Sequence, residues 1–211
     1  MAFCLGLQAA MSAEQPGQAL PAAALAARLA AGSAALFPTD TLPALAAQPG
    51  AAGQIWQLKQ RPADKPLILM AADLDTLQPV LGQDWEPDWL ALAERGWPGA
   101  LTLVLPARGP LLDRLNPGGC SLGLRIPACG PTRALLRLSG PLATTSVNRS
   151  GEPPARTAAE AAAQFPELPL LAPVPWPQAC GQASTVLAWR PEGGWQLLRA
   201  GAFLPEELLQ R

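Results

Sequence analysis

Short apolar runs alternate with helix-patterned segments along most of this chain, and that alternation restricts the fold more than any other feature. "SAALFP", "PLILM", "ALTLVLPA", "SLGLRIPA" and "PLATTSVN" read as strands, several of them too continuous in apolar residues to lie on a solvated surface. Between them, "GQALPAAALAARLAAG" predicts a helix with Leu20, Leu25 and Leu29 on one side and Gly32 as its stop. "AAGQIWQLKQR" predicts a second, with Ile55, Trp56 and Leu58 apolar and Pro62 ending it. "DLDTLQPVL", "EPDWLALAERG", "PTRALLRLSG" and "RTAAEAAAQF" predict four more, the third closed by Gly140 and the last capped by Thr157. "STVLAWR" and "GWQLLRAG" predict a hairpin around "PEGG", and the proline-rich piece at 166–181 a connecting loop. Strand and helix in alternation give an α/β fold on a mixed sheet.

The length, 211 residues, suits one domain, and with 49% apolar residues a core is available. No run of eighteen apolar residues occurs, so no membrane span is expected. "MAFCLGLQAAMSAEQ" lacks the basic flank of a signal peptide and reads as a ragged N-terminus. Cys4, Cys120, Cys129 and Cys180 form no C-x-x-C pair, and four scattered thiols suit a reducing cytoplasm. The absence of histidine makes a protein-built zinc site difficult, and none is expected.

With no histidine and no tyrosine, the usual general base, the Ser-His and Cys-His nucleophile pairs and the phenolic acid are all missing. Catalysis by such a chain must rest on positioning and charge stabilisation by Lys, Arg, hydroxyls and backbone amides. A formal net charge of −1 means that any basic site is local.

Three polar clusters sit at the ends of predicted strands, where open α/β sheets bind ligands. "PTDT" (38–41) is either a turn whose hydroxyls and carboxylate bond nearby backbone, or a rim for a polar ligand. "KQRPADKPL" (59–67) gathers Lys59, Arg61 and Lys65 around two prolines. Lys59 alone fits a solvated helix end. Arg61 and Lys65 follow or flank the break at Pro62, and the set suits an anion held between them, phosphate being the natural guest. "TTSVNRSG" (144–151) is a hydrogen-bonded loop or a phosphate- or ribose-recognising one.

Taken in order, "PTDTLPAL", "KQRPADKPL", "WPGALT", "LRIP", "SVNRSG", "STV" and "LRAG" resemble the motifs of the threonylcarbamoyl-AMP synthases, the YrdC/Sua5-like proteins, over roughly residues 18–203. The resemblance implies a single domain with a twisted mixed sheet flanked by helices and a concave, positively lined cavity. It implies that L-threonine, bicarbonate and ATP give threonylcarbamoyl-adenylate and pyrophosphate, the product serving t6A modification of tRNA through separate transfer proteins. By position, Lys59 and Arg61 would hold the ATP phosphates and the carbamate, with Lys65 near the nucleotide. Arg125 would pair with the threonine carboxylate. Ser146 and Asn148 would contact nucleotide or intermediate, with Thr144 beside them. Thr39 and Thr185 would line the threonine pocket, Arg199 would reach the nucleotide, and Mg2+ would arrive on ATP, held through phosphates. Phosphoryl-type transfer needs alignment and charge neutralisation more than proton shuttling, so a site without histidine suits it.

Four departures from the family pattern surround the implied pocket: Pro43-Ala44-Leu45-Ala46 replaces Tyr-Gly-Leu-Gly, Met70 stands where longer members often have His, Ala188 where Asp commonly follows S-T-V, and the segment between "PTDT" and Lys59 is shorter than in the family. Two other readings of the same resemblance are a divergent paralogue that binds nucleotide or double-stranded RNA without making the adenylate, and a module using carbamoyl phosphate. The acylphosphatase and zinc-finger modules that accompany the latter are not found in this sequence.

Overall fold

The computed structural model describes residues 17–60 and 65–205. Ten strands form one mixed sheet among them: β1 (Ala19–Leu20), β2 (Ala35–Phe37), β3 (Ala44–Ala47), β4 (Ile68–Met70), β5 (Leu101–Pro106), β6 (Ser121–Arg125), β7 (Leu142–Ser146), β8 (Leu170–Leu171), β9 (Thr185–Trp189) and β10 (Trp195–Arg199). Their spatial order is β1-β8-β2-β3-β7-β4-β6-β5-β9-β10. Pairs β1/β8, β2/β8, β4/β6 and β5/β9 are parallel, and the remaining neighbours are antiparallel.

Seven α-helices complete the described fold: α1 (Ala22–Ala30), α2 (Gly53–Lys59), α3 (Leu74–Leu77), α4 (Pro87–Gly96), α5 (Pro110–Leu115), α6 (Gly130–Ser139) and α7 (Ala158–Gln164). Leu25 and Leu29, one helical turn apart, are both fully buried on α1. Leu20 departs from the expected helix and lies on β1, because Pro21 sits at the helix boundary in an extended conformation. Helix α2 ends at Gln60, which takes the left-handed conformation (φ 50°), so the stop precedes Pro62, which lies outside the described residues. Thr157 caps α7 as expected, accepting the Glu160 N–H at 3.1 Å.

The period-two alternation of the strands sorts the core into two layers. Leu36, Leu45, Leu69, Leu103, Leu122 and Leu124 face one side, where α2, α4, α5 and α7 pack. Ala35, Phe37, Ala44, Ala46, Met70 and Leu142 face the other, under α1 and α6. The two layers join into an α/β/α sandwich, and α1 and α6 cover only part of the second face.

A chain of edge-to-face tryptophan contacts fastens the terminal hairpin to α4. Trp85 meets Trp89 (6.4 Å) and Trp97 (6.3 Å), Trp89 meets Trp189 (6.1 Å), and Trp189 meets Trp195 (5.1 Å). The hairpin expected around "PEGG" is β9–β10. The expected loop at 166–181 is corrected in one respect: Leu170 and Leu171 form β8, wedged between β1 and β2. Two residues carry no readable period, so tertiary pairing decides there. No helix among the described residues is long and apolar enough to cross a membrane.

Candidate functional site

The uncovered part of the second sheet face holds a cavity of about 350 Å³. Its floor follows from strand register. Ile68 pairs with Thr144 and Gly123, Met70 with Leu142 and Arg125, and Ala44 with Ser146. Thr144 and Ser146 therefore point to the same side as Ile68 and Met70, while Ala143 and Val147 point into the opposite core layer. Arg125 and Arg199 stand in its walls as well.

One rim of the cavity is fixed by Lys59. This lysine is only 2% exposed. Its Nζ donates to the Ser146 carbonyl at 2.6 Å and to Asn148 Oδ1 at 2.9 Å. Ser146 Oγ donates to the same Asn148 Oδ1 at 2.6 Å. Asn148 Nδ2 is anchored in turn on the Arg149 and Glu152 carbonyls, and the Ser150 N–H returns to the Lys59 carbonyl at 3.0 Å. The end of α2 and the loop after β7 are thus laced together. A buried ammonium requires such partners, since leaving it bare in a low-dielectric site is costly.

Arg125, 3% exposed, fixes the opposite wall. Its Nε donates to the Gly99 carbonyl at 3.0 Å, Nη1 to Thr41 Oγ1 at 2.8 Å and Nη2 to Asp40 Oδ1 at 2.8 Å. A guanidinium has five N–H groups, so one remains on each Nη after these three bonds. Burial pushes the pKa of Arg125 below its ordinary value, and the Asp40 carboxylate opposes that shift. Gly99, in the "WPG" motif, is required by closeness: a Cβ there would stand 2.5 Å from the Gly96 carbonyl oxygen.

Arg199 closes a third side from the last strand, its Nε donating to the Ser184 carbonyl at 3.0 Å and Nη2 to Ser184 Oγ at 3.1 Å. Ser184 Oγ shares a hydrogen with Thr102 Oγ1 at 2.9 Å, inside the buried floor. Gly201 lets the chain after β10 pass this point, because a Cβ there would lie 2.3 Å from the Ala183 carbonyl oxygen.

The sequence-predicted residues divide accordingly. Arg125, Thr144, Ser146 and Arg199 line the cavity. Lys59 and Asn148 do not line it but are bonded to Ser146, which does. Lys65 is exposed and outside the wall, its carbonyl accepting the Trp56 indole N–H, while the adjacent Pro66 lines the cavity. Arg61 lies outside the described residues.

Thr39 and Thr185 are not brought into the cavity lining. Thr39 Oγ1 is spent within its turn, donating to the Leu42 carbonyl at 2.7 Å and accepting the Thr41 N–H at 3.1 Å. Thr185 Oγ1 donates to the Phe203 carbonyl and accepts the Gly201 N–H at 3.0 Å. Thr41 and Ser184 occupy the wall instead. Asp40, Thr41, Thr102 and Ser184 were within the quoted motifs or beside them, yet nothing in the linear text says which hydroxyl of each pair faces the cavity. As for the departures, Pro43 and Ala44 stand in the wall, and Ala44–Ala47 form β3 between β2 and β7, an ordinary strand that needs no glycine freedom.

Comparison with known proteins identifies what the chain and its fold are similar to. The family model Sua5/YciO/YrdC, described as "Telomere recombination", matches residues 27–201. The threonylcarbamoyl-AMP synthase of Idiomarina loihiensis is 40% identical over 138 residues, which are 61% of this chain and 72% of that protein. That of Bacillus subtilis is 39% identical over 122 residues, 56% of this chain and only 35% of the longer relative. The crystal structure of Pyrococcus abyssi Sua5 complexed with L-threonine superposes with a TM-score of 0.79 at 32% identity, covering 89% of this chain and 56% of that one. Escherichia coli YciO shares the fold, with a TM-score of 0.73 at 21% identity over 85% of this chain and 88% of its own.

Proposed function

The chain belongs to the Sua5/YciO/YrdC family, and from that premise and the site's geometry we propose that it is an L-threonylcarbamoyladenylate synthase. It takes L-threonine, bicarbonate and ATP, and yields threonylcarbamoyl-AMP, pyrophosphate and the water lost as bicarbonate becomes CO2. The threonine amine adds to CO2 derived from bicarbonate, losing a proton to give a carbamate. A carbamate oxygen then attacks the α-phosphorus, and the bond to the departing pyrophosphate breaks. The product serves t6A modification of tRNA through separate transfer proteins.

The observation that supports this most is a pair of buried cations tied to one cavity: Arg125, held on the "PTDT" turn, stands in its wall, and Lys59 is bonded to Ser146, which lines it. Lys59, with Arg61 and Lys65, grips the phosphates, and Ser146 and Asn148 fix the position of the ammonium. Arg125 takes the threonine carboxylate through its two spare N–H groups. Thr144 stands on the floor between them, Arg199 reaches the nucleotide, and Thr39 and Thr185 brace the turns that carry Thr41 and Ser184. Charge neutralisation and alignment then lower the barrier without a proton-shuttling side chain.

Among the described residues no group of three or more Asp, Glu, Cys or His side chains gathers. Mg2+ would arrive with the nucleotide, held by its phosphate oxygens, and would supply charge neutralisation there. The test is incubation with ATP, L-threonine and labelled bicarbonate. Pyrophosphate should appear only when threonine is present, with the label in a threonine-containing adenylate. Absence of both products under conditions where ATP binds would overturn the reading, and salt-sensitive binding of double-stranded RNA in their place would favour an RNA-binding role.

A further inference from the structure

A buried arginine is useful to a substrate only if its fork points the right way, and here the fork has a dedicated holder. Asp40 Oδ1 accepts two hydrogen bonds, from Arg125 Nη2 at 2.8 Å and from the backbone N–H of Ala128 at 3.0 Å. The carboxylate is thereby tied to the loop that follows β6, the strand on which Arg125 itself sits. The Asp40 backbone is fixed as well, its carbonyl accepting the Cys180 N–H at 3.1 Å, while the Thr41 carbonyl accepts Gly181 N–H at 3.1 Å. The turn therefore spans the chain from the second strand, the β6–α6 loop and the segment before β9. It cannot shift without breaking bonds to each.

We propose that Asp40 is a positioning residue for substrate recognition: it aims Arg125 so that the remaining N–H on each Nη is presented to an α-carboxylate in the cleft. This inference rests on the reading of Arg125 given under Proposed function. Each guanidinium nitrogen has one protein acceptor, Gly99 O, Thr41 Oγ1 and Asp40 Oδ1. Of these three only Asp40 is charged; Thr41 Oγ1 is also held by Thr39 Oγ1 at 3.0 Å, and Asp40 Oδ1 by the Ala128 N–H. The role of Asp40 is geometric, carried by the oxygen's position. An isosteric amide oxygen at that point should aim the fork nearly as well, whereas a carboxylate displaced by one methylene should not.

The test is calorimetric titration of L-threonine into the full-length protein, without and with a non-hydrolysable ATP analogue, for the wild type and for Asp40→Asn, Asp40→Glu and Asp40→Ala. The expected result is threonine affinity within threefold of wild type for Asp40→Asn and at least fivefold weaker for Asp40→Glu. Asp40→Ala should be at least tenfold weaker. Affinity for the ATP analogue should stay within twofold throughout, a split that general loosening of the fold would not produce. Equal threonine affinity in the Glu variant, or an Asn variant as impaired as the Glu one, would overturn the positioning role even if Asp40→Ala fails to fold. A wild-type protein that binds no threonine would instead overturn the function on which the inference rests.

Discussion

Lys59 and Ser146 are 87 positions apart in the chain, and the lysine ammonium lies 2.6 Å from the serine carbonyl. A buried cation directed at a backbone oxygen and an amide oxygen is held in place before any ligand arrives. Lys59→Ala should therefore remove both a phosphate contact and the brace of the Ser146–Asn148 loop. We expect loss of at least ~2 kcal/mol of transition-state stabilisation, about thirtyfold in the rate of pyrophosphate release. Arg61→Ala, at the neighbouring motif position, should cost at least ~2 kcal/mol by the same measure. Near-normal rates in both variants would refute the assignment.

The Thr102–Ser184 hydroxyl pair is buried, at 1% and 4% exposure. Thr102→Val keeps the shape and leaves Ser184 Oγ short of a partner. A cost of about 1–2 kcal/mol is expected from urea denaturation midpoints, as for other buried hydroxyls deprived of a bond. Because Arg199 also holds Ser184, the apparent KM for ATP should rise as well.

Gly201→Ala tests the close passage beneath β9. The added methyl would meet the Ala183 carbonyl oxygen at 2.3 Å, with backbone rather than a flexible side chain as the obstacle. Destabilisation of about 1–3 kcal/mol is expected, read as a fall in the thermal midpoint. An unchanged midpoint would show that the passage has slack.

Asp73 caps α3, accepting the Thr76 N–H at 3.0 Å and the Thr76 hydroxyl. These bonds, the side-chain one foremost, hold its pKa below the ordinary carboxylate value. A depressed folded-state pKa gives stability that is complete above the unfolded value and fades as pH falls through the folded one. The stability difference between wild type and Asp73→Ala should thus be about 1 kcal/mol near neutrality and shrink from about pH 4 downward. A difference that persists undiminished at pH 2 would contradict the capping account.

Much of the architecture is legible in the linear text where a period repeats. "ALTLVLPA" sends Leu101, Leu103 and Leu105 into one layer, as alternation requires. β8 and β3 were not legible, since two or four small apolar residues fit strand, loop or helix equally until neighbours pair with them. The site divides along the same line. Charge clustering around two prolines pointed to Lys59, whereas Arg125 stands alone in its strand and only the family resemblance singled it out. The hydroxyls of "PTDT" and "STV" were misplaced by two positions and one: Thr41 and Ser184 face the cavity while Thr39 and Thr185 bind backbone. A motif marks a neighbourhood, but the backbone decides which side chain of the pair looks inward.

Strand β7 lies between β3 and β4, although it follows them by some seventy residues or more in the chain. During synthesis, then, the two early strands emerge with nothing to pair with on that side until residue 142 has left the ribosome, and the last wall waits for residue 199. Non-local closure of this kind is slow, so the nascent chain is the form most exposed to chaperones and proteases.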